Sequence, residues 1–134
     1  MEHIARWIRA VAAAAGGFLG WFMGQGDGLI FALLAFVVID YLTGVMCAAI
    51  DKALSSEIGA KGIAKKVMIF VLIGIANLID TQVIKSGAVL RTAVIFFYLA
   101  NEGLSLLENA AHLGLPVPDK LKDALAQLKD KDEK

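Results

Sequence analysis

The sequence lacks most of what a soluble enzyme or a metalloprotein needs. It has one cysteine, Cys47, which excludes an internal disulfide framework and a cysteine-based metal cluster. Its two histidines, His3 and His112, stand far apart with no ligand spacing around them, so no metal and no other cofactor is expected. The two prolines, Pro116 and Pro118, both lie near the C-terminal end, leaving long stretches that no proline interrupts as helix. Charged residues are only 19% of the chain and cancel to a net charge of zero, which removes the basic field that nucleic-acid binding relies on. There is no GxSxG, HExxH or phosphate-cradling loop, and no enzyme activity is expected.

What the chain has in quantity is apolar residues, 58% of 134, with a mean hydropathy of +0.69. That composition belongs to an integral membrane protein of all-α class, with three to four transmembrane helices. Crossing the hydrocarbon takes roughly 20 apolar residues as helix. Segments 28–50, 67–84 and 88–107 qualify, each with a few polar residues inside.

Segment 4–23 is weaker. It carries Arg6 and Arg9 near one end, where they can snorkel, and Trp7 and Trp21 near opposite ends, as in an aromatic belt. A surface-lying amphipathic helix is the other reading, since Ile4, Trp7, Ile8 and Val11 share a face. A cleaved signal peptide is not expected, because GWFM at 20–23 lacks a small-x-small site. Residues 1–107 are thus read as the transmembrane domain. Residues 108–134 are read as a polar cytoplasmic tail with an amphipathic helix over about 119–129, on the spacing of Leu121, Leu125 and Leu128.

The connection 51–66 reads as a basic cytoplasmic loop carrying Lys52, Lys61, Lys65 and Lys66. Basic residues alternate from one connection to the next. With four spans, the positive-inside rule places both termini in the cytoplasm. With three spans, the basic loop and the tail stay inside.

Ionisable or strongly polar groups inside the bilayer are costly and are functional candidates by default. Asp40 stands near the middle of the second segment, where lining an aqueous path and packing at a polar helix interface are equally open. Asn77 and Asp80 lie in the third segment; Arg91, Asn101 and Glu102 lie in the fourth. Asp80 and Arg91 flank a tight turn at 85–87 and suggest an ion pair. Glu102, Ser105 and Asn109 share a face. Gly16, Gly20 and Gly24 recur every four residues as a ridge for close helix packing, and Gly44 lies one turn beyond Asp40.

Two function classes fit. One is a small pore former that needs many copies of itself to enclose a hole. The other is a small proton-coupled multidrug exporter of four helices. The exporter class relies on a carboxylate within its first helix, and here that helix has none beyond Glu2 at its start.

Four ordered stretches resemble a known family. DYLTGV at 40–45, SEIGAKGIAKK at 56–66, LRTAVIFFY at 90–98 followed by NEGLS at 101–105, and GLPVP at 114–118 with the helix after it are similar to the toxin-secretion/phage-lysis holins, a group that includes the clostridial toxin-export holin. The resemblance runs from about residue 40 to 128. It implies self-assembly into lesions of the bacterial cytoplasmic membrane that release an endolysin, or a large toxin, and lead to lysis. It implies a large homo-oligomer in a lipid bilayer, with the endolysin as a functional partner that needs no direct contact, and no catalytic residue.

Overall fold

A computed structural model of the chain describes residues 1–24 and 26–133, with the surroundings of side chains described through Leu128. It is all-helical, 85% helix, with no strand among the described residues. Helix α1 covers Glu2–Met23, α2 Gly28–Ile50, α3 Ser56–Leu78, α4 Val89–His112 and α5 Asp119–Glu133. The helix of α3 continues without a break as π-helical turns over Ile79–Ile84.

Three helices are long and apolar enough to cross a membrane: α2, α3 with its π-helical extension, and α4. Helix α1 is not among them. Two segment boundaries need correcting. The stretch 56–66 is the amino-terminal part of α3 rather than a loop, so of the four lysines assigned to a basic loop only Lys52 lies in a connection. Helix α4 runs to His112, five residues past the expected end. In both cases charged residues looked like a connection, while the backbone continued as helix because nothing breaks it.

Local chemistry sets the ends. The Asp27 carboxylate accepts a hydrogen bond from the Ile30 N–H at 3.0 Å and caps α2. Ser55 caps α3 through the Ile58 N–H. Lys85, at φ 60°, closes the π-helical turn with its N–H on the Asp80 carbonyl at 2.9 Å.

Each spanning helix turns one stripe inward at steps of three and four. On α2 it is Ile30, Leu33, Val37, Asp40 and Cys47; on α3, Ile69, Ile73, Asn77 and then Asp80; on α4, Arg91, Ile95, Leu99 and Glu102. Leu33, Ile73 and Ile95 are completely covered and form the centre of the core. Most other large apolar side chains, among them Phe31, Leu42, Ile63 and Val67, point outward, as lipid-facing residues do.

Helix α1 touches the bundle only near its C-terminal end, and residues 2–21 are exposed. The Phe22 ring lies over Gly74 of α3, where any β-carbon would collide with it. At about 100° per residue, Ile4, Trp7, Val11 and Phe18 fall on the same side as Phe22, whereas Gly16 and Gly20 fall on the side of Glu2 and Arg9. Among the described residues nothing approaches Gly16 or Gly20, whereas Gly24, beyond the helix at φ 89°, is closely approached by the Arg91 and Asn77 side chains.

Helix α5 folds back along α4. Leu125 is buried over Gly103, and Leu128 reaches the core. Lys120, Lys122 and Asp123 stay exposed along this docked helix. The helix expected in the polar tail is packed against the bundle through Leu125 and Leu128.

Candidate functional site

The inward stripes of α2, α3 and α4 meet in a layer of charge. Asp40 lies about 18 Å from the start of α2 and 15 Å from its end, at a rise of ~1.5 Å per residue. Glu102 is similarly placed, about 20 Å from the start of α4 and 15 Å from its end. The Lys66 ammonium of α3 sits between them, donating to Asp40 Oδ2 and to Glu102 Oε2, both at 2.7 Å. The three side chains are 9–17% exposed.

Hydrogen bonds complete the layer on its α4 side. The Asn109 amide donates to Asp40 Oδ1 at 3.1 Å, to the Asp40 carbonyl at 3.3 Å and to Thr43 Oγ1 at 2.8 Å. The Thr43 hydroxyl donates in turn to the Ile39 and Asp40 carbonyls. Cys47 Sγ meets the Asn109 carbonyl at 3.5 Å. A cleft of about 260 Å³ opens beside the layer, lined by Asp40, Lys66, Ser105 and Asn109 together with Tyr41 and Gly59. The Tyr41 hydroxyl donates to the Gly59 carbonyl at 3.4 Å, and Gly59 and Gly62 leave room for the ring. Gly44 lies beside the Asn109 amide.

A second polar set holds the opposite end of the bundle. The Asp80 carboxylate accepts from the Leu90 N–H at 3.1 Å and the Arg91 N–H at 2.8 Å, so a residue of α3 caps α4. The Arg91 guanidinium turns to the start of the chain. Its Nε donates to the Met23 carbonyl at 2.6 Å, and Nη1 pairs with Asp27 at 2.9 Å. The expected side-chain pairing of Arg91 with Asp80 is thus replaced by one with Asp27, because Asp80 is used on the backbone of the same turn. The Asn77 amide donates to the Trp21 and Phe22 carbonyls at 3.2 and 3.0 Å. Together Asn77 and Arg91 satisfy the last carbonyls of α1, where an amide and a cation complement the helix dipole. The Arg91 hydrogen bond, with help from the Ile30 N–H, holds the Asp27 carboxyl below its usual value of 3.8.

Asn101 joins neither set. It faces a groove between α3 and α4 together with Tyr98. Of the lysines, Lys61 and Lys65 border that groove, and Lys52 lies in the α2–α3 turn at φ 56°. At the α2–α3 end of the bundle, His112 Nε2 and Asp51 Oδ2 are 2.7 Å apart and tie the ends of α4 and α2 together. No cluster of metal-ligating residues occurs among the described residues.

The sequence reading missed Lys66 as the centre of the layer and Asp27 as the partner of Arg91. A signal for Lys66 was present: stepping back from Asp80, Asn77 and Ile73 by threes and fours reaches Ile69 and then Lys66. Asp27 gave none, since its pairing depends on how the first helix turns into the second.

The model of the bacteriophage holin family matches residues 17–130. The chain belongs to the bacteriophage holin family. A probable holin of Bacillus phage phi105 is 39% identical over 103 residues, covering 76% of each chain. A 14.9 kDa protein from the nagH 3′ region of Clostridium perfringens is 41% identical over 131 residues, covering 98% of this chain and 99% of that one. A Halalkalibacterium halodurans protein is 42% identical over the full length of both. No solved structure matches. Family and fold together make this holin a multi-pass membrane protein.

Proposed function

We propose that the chain assembles with copies of itself in the bacterial cytoplasmic membrane into a hole wide enough for a folded endolysin, and that the Asp40–Lys66–Glu102 layer belongs to the wall that becomes wet. The observation that carries this reading is the layer itself: two carboxyl groups on one lysine, each at 2.7 Å, with their hydrogen bonds, near the middle of helices otherwise suited to lipid. A charge at that depth is costly unless it is paired or reached by water. One bundle leaves only a small cleft beside the layer. A hole for a folded protein therefore has to be built between copies. Helix α5 supports the same flank, since it carries exposed charge along α4 as far as Gly103, where acyl chains would not solvate it.

The topology proposed is three spans, with Lys52, the amino end of α3 and the start of α5 on the cytoplasmic side by the positive-inside rule. Helix α1 then lies along the opposite surface with Ile4, Trp7, Val11 and Phe18 toward the lipid. A fourth crossing by α1 would instead bring both termini inside. An impermeant thiol reagent applied to intact cells carrying His3→Cys decides: labelling supports three spans, and protection supports four.

The function is tested by inducible expression in a bacterium that holds a folded reporter enzyme in its cytoplasm. Abrupt release of the reporter after a delay supports the holin reading. Resistance to small toxic cations without release would support the proton-coupled exporter instead. The layer argues against exchange chemistry, because both of its carboxylates are already bound to Lys66. The same assay with an endolysin or a large toxin as cargo separates lysis from toxin release.

A further inference from the structure

We infer that the groove between α3 and α4 is a binding site for an anionic phospholipid. The groove has a volume of about 490 Å³; no residue of α2 or α5 lines it, and Glu102, whose carboxylate is held by Lys66, lines it beside Asn101. Its α3 wall is ordered end to end like a phospholipid. Lys61 and Lys65 stand nearest the amino end of the helix, and Met68 and Leu72 follow on the same face at three- and four-residue steps. Helical side chains lean toward the amino end, so both ammonium groups reach back toward the surface where α3 begins. The positive end of the helix dipole lies on that side as well.

Neither lysine has a carboxylate partner among the described residues, unlike Lys66 one position on. On the α4 wall, the Asn101 amide and the Tyr98 hydroxyl have no hydrogen-bond partner in the chain among the described residues. A polar group beside acyl chains is costly when unpaired. A phosphate meets the two lysines, the ester oxygens beneath it are acceptors for the amide and the hydroxyl, and an acyl chain fits Met68 and Leu72. A second copy fits less well, because a symmetric contact through this face would set Lys61 and Lys65 against their own counterparts. The inference rests on α3 and α4 crossing a bilayer and not on hole formation.

The test uses the full-length protein in phosphatidylcholine vesicles, with chain-spin-labelled phosphatidylglycerol or phosphatidylcholine as the probe. Two lysines reaching toward the headgroups predict a phosphatidylglycerol preference of roughly fivefold or more. Lys61→Gln with Lys65→Gln brings the preference near parity, whereas Lys65→Arg and Lys52→Gln keep it. A wild-type protein without preference overturns the inference, as does a double variant that is folded by circular dichroism and keeps its preference. Efficient disulfide crosslinking between copies through Met68→Cys in a Cys47→Ala background overturns it too, by giving the groove to protein. Intact reporter release in the double variant would leave hole formation standing while the lipid result decides the site.

Discussion

The Lys66 ammonium lies 2.7 Å from a carboxylate oxygen of Asp40 and 2.7 Å from one of Glu102, so one cation joins all three spanning helices. Apolar side chains cannot do this well in lipid, where burying them gains little over facing acyl chains. Replacing Lys66 by Met leaves two buried carboxylates with no counter-charge. Losing one partner of a buried ion pair costs about 3–5 kcal/mol. Lys66→Met should lower the stability of the helical state by that order in a denaturing-detergent titration and abolish timed release. Combining it with Asp40→Asn and Glu102→Gln should recover most of the stability but not the release. Full function in the triple variant would show that the charge has no role beyond packing.

Arg91 joins the start of α4 to the start of α2 through Asp27 and to the end of α1 through the Met23 carbonyl. Because Asp27 is held below 3.8, the stability it contributes is complete above that pH. It is lost as pH falls through the lower folded value, when the carboxyl protonates and the Arg91 bond weakens. In a Trp7→Phe background, Trp21 fluorescence should report α1 loosening in this acid range, and Asp27→Asn should remove the acid step. The same step in Asp27→Asn would assign it to another group.

Swapping Asp80 and Arg91 should not rescue the single reversals, because Asp80 acts on backbone N–H groups rather than on the guanidinium. Asp80→Ala removes the cap of α4 at a cost of about 1 kcal/mol, within the usual range for caps. Asp80→Asn should retain much of it, as read by detergent titration.

The glycines separate by position. Gly74→Leu places a side chain where the Phe22 ring lies and should free α1, raising proteolysis near 24–27; Gly20→Leu meets nothing within the chain and should leave that cleavage unchanged. Gly103→Val presses on Leu125 in the same way and should expose α5 to protease. If Gly20→Leu still blocks release, α1 contacts another copy through that face.

Much of the bundle was legible because period and apolarity are local. Spans 28–50 and 67–84, and the helix after the prolines, are written in runs of apolar residues at helical spacing. The amino-terminal part of α3 was not, because Lys61, Lys65 and Lys66 resemble a loop by charge alone. Charge on a helix is decided by what faces it, here Asp40 and Glu102 from other helices. The pairing of Arg91 was hidden for a related reason: two acids lie within reach, and the nearer in sequence is taken by backbone N–H groups. Asp40, Asp80 and Glu102 stood out without any structure, since carboxylates inside apolar runs are costly wherever they point.

On the proposed function, the Lys66 layer becomes wet when the hole forms. Ser105 lines the cleft at that layer, and Val38 faces outward from the apolar side of α2. Each is replaced by cysteine in a Cys47→Ala background and exposed to an impermeant thiol reagent before and after reporter release. The account predicts that Ser105→Cys is protected before release and labelled rapidly after it, with Val38→Cys protected throughout. Protection of Ser105→Cys after release, or labelling of Val38→Cys in its place, would contradict it.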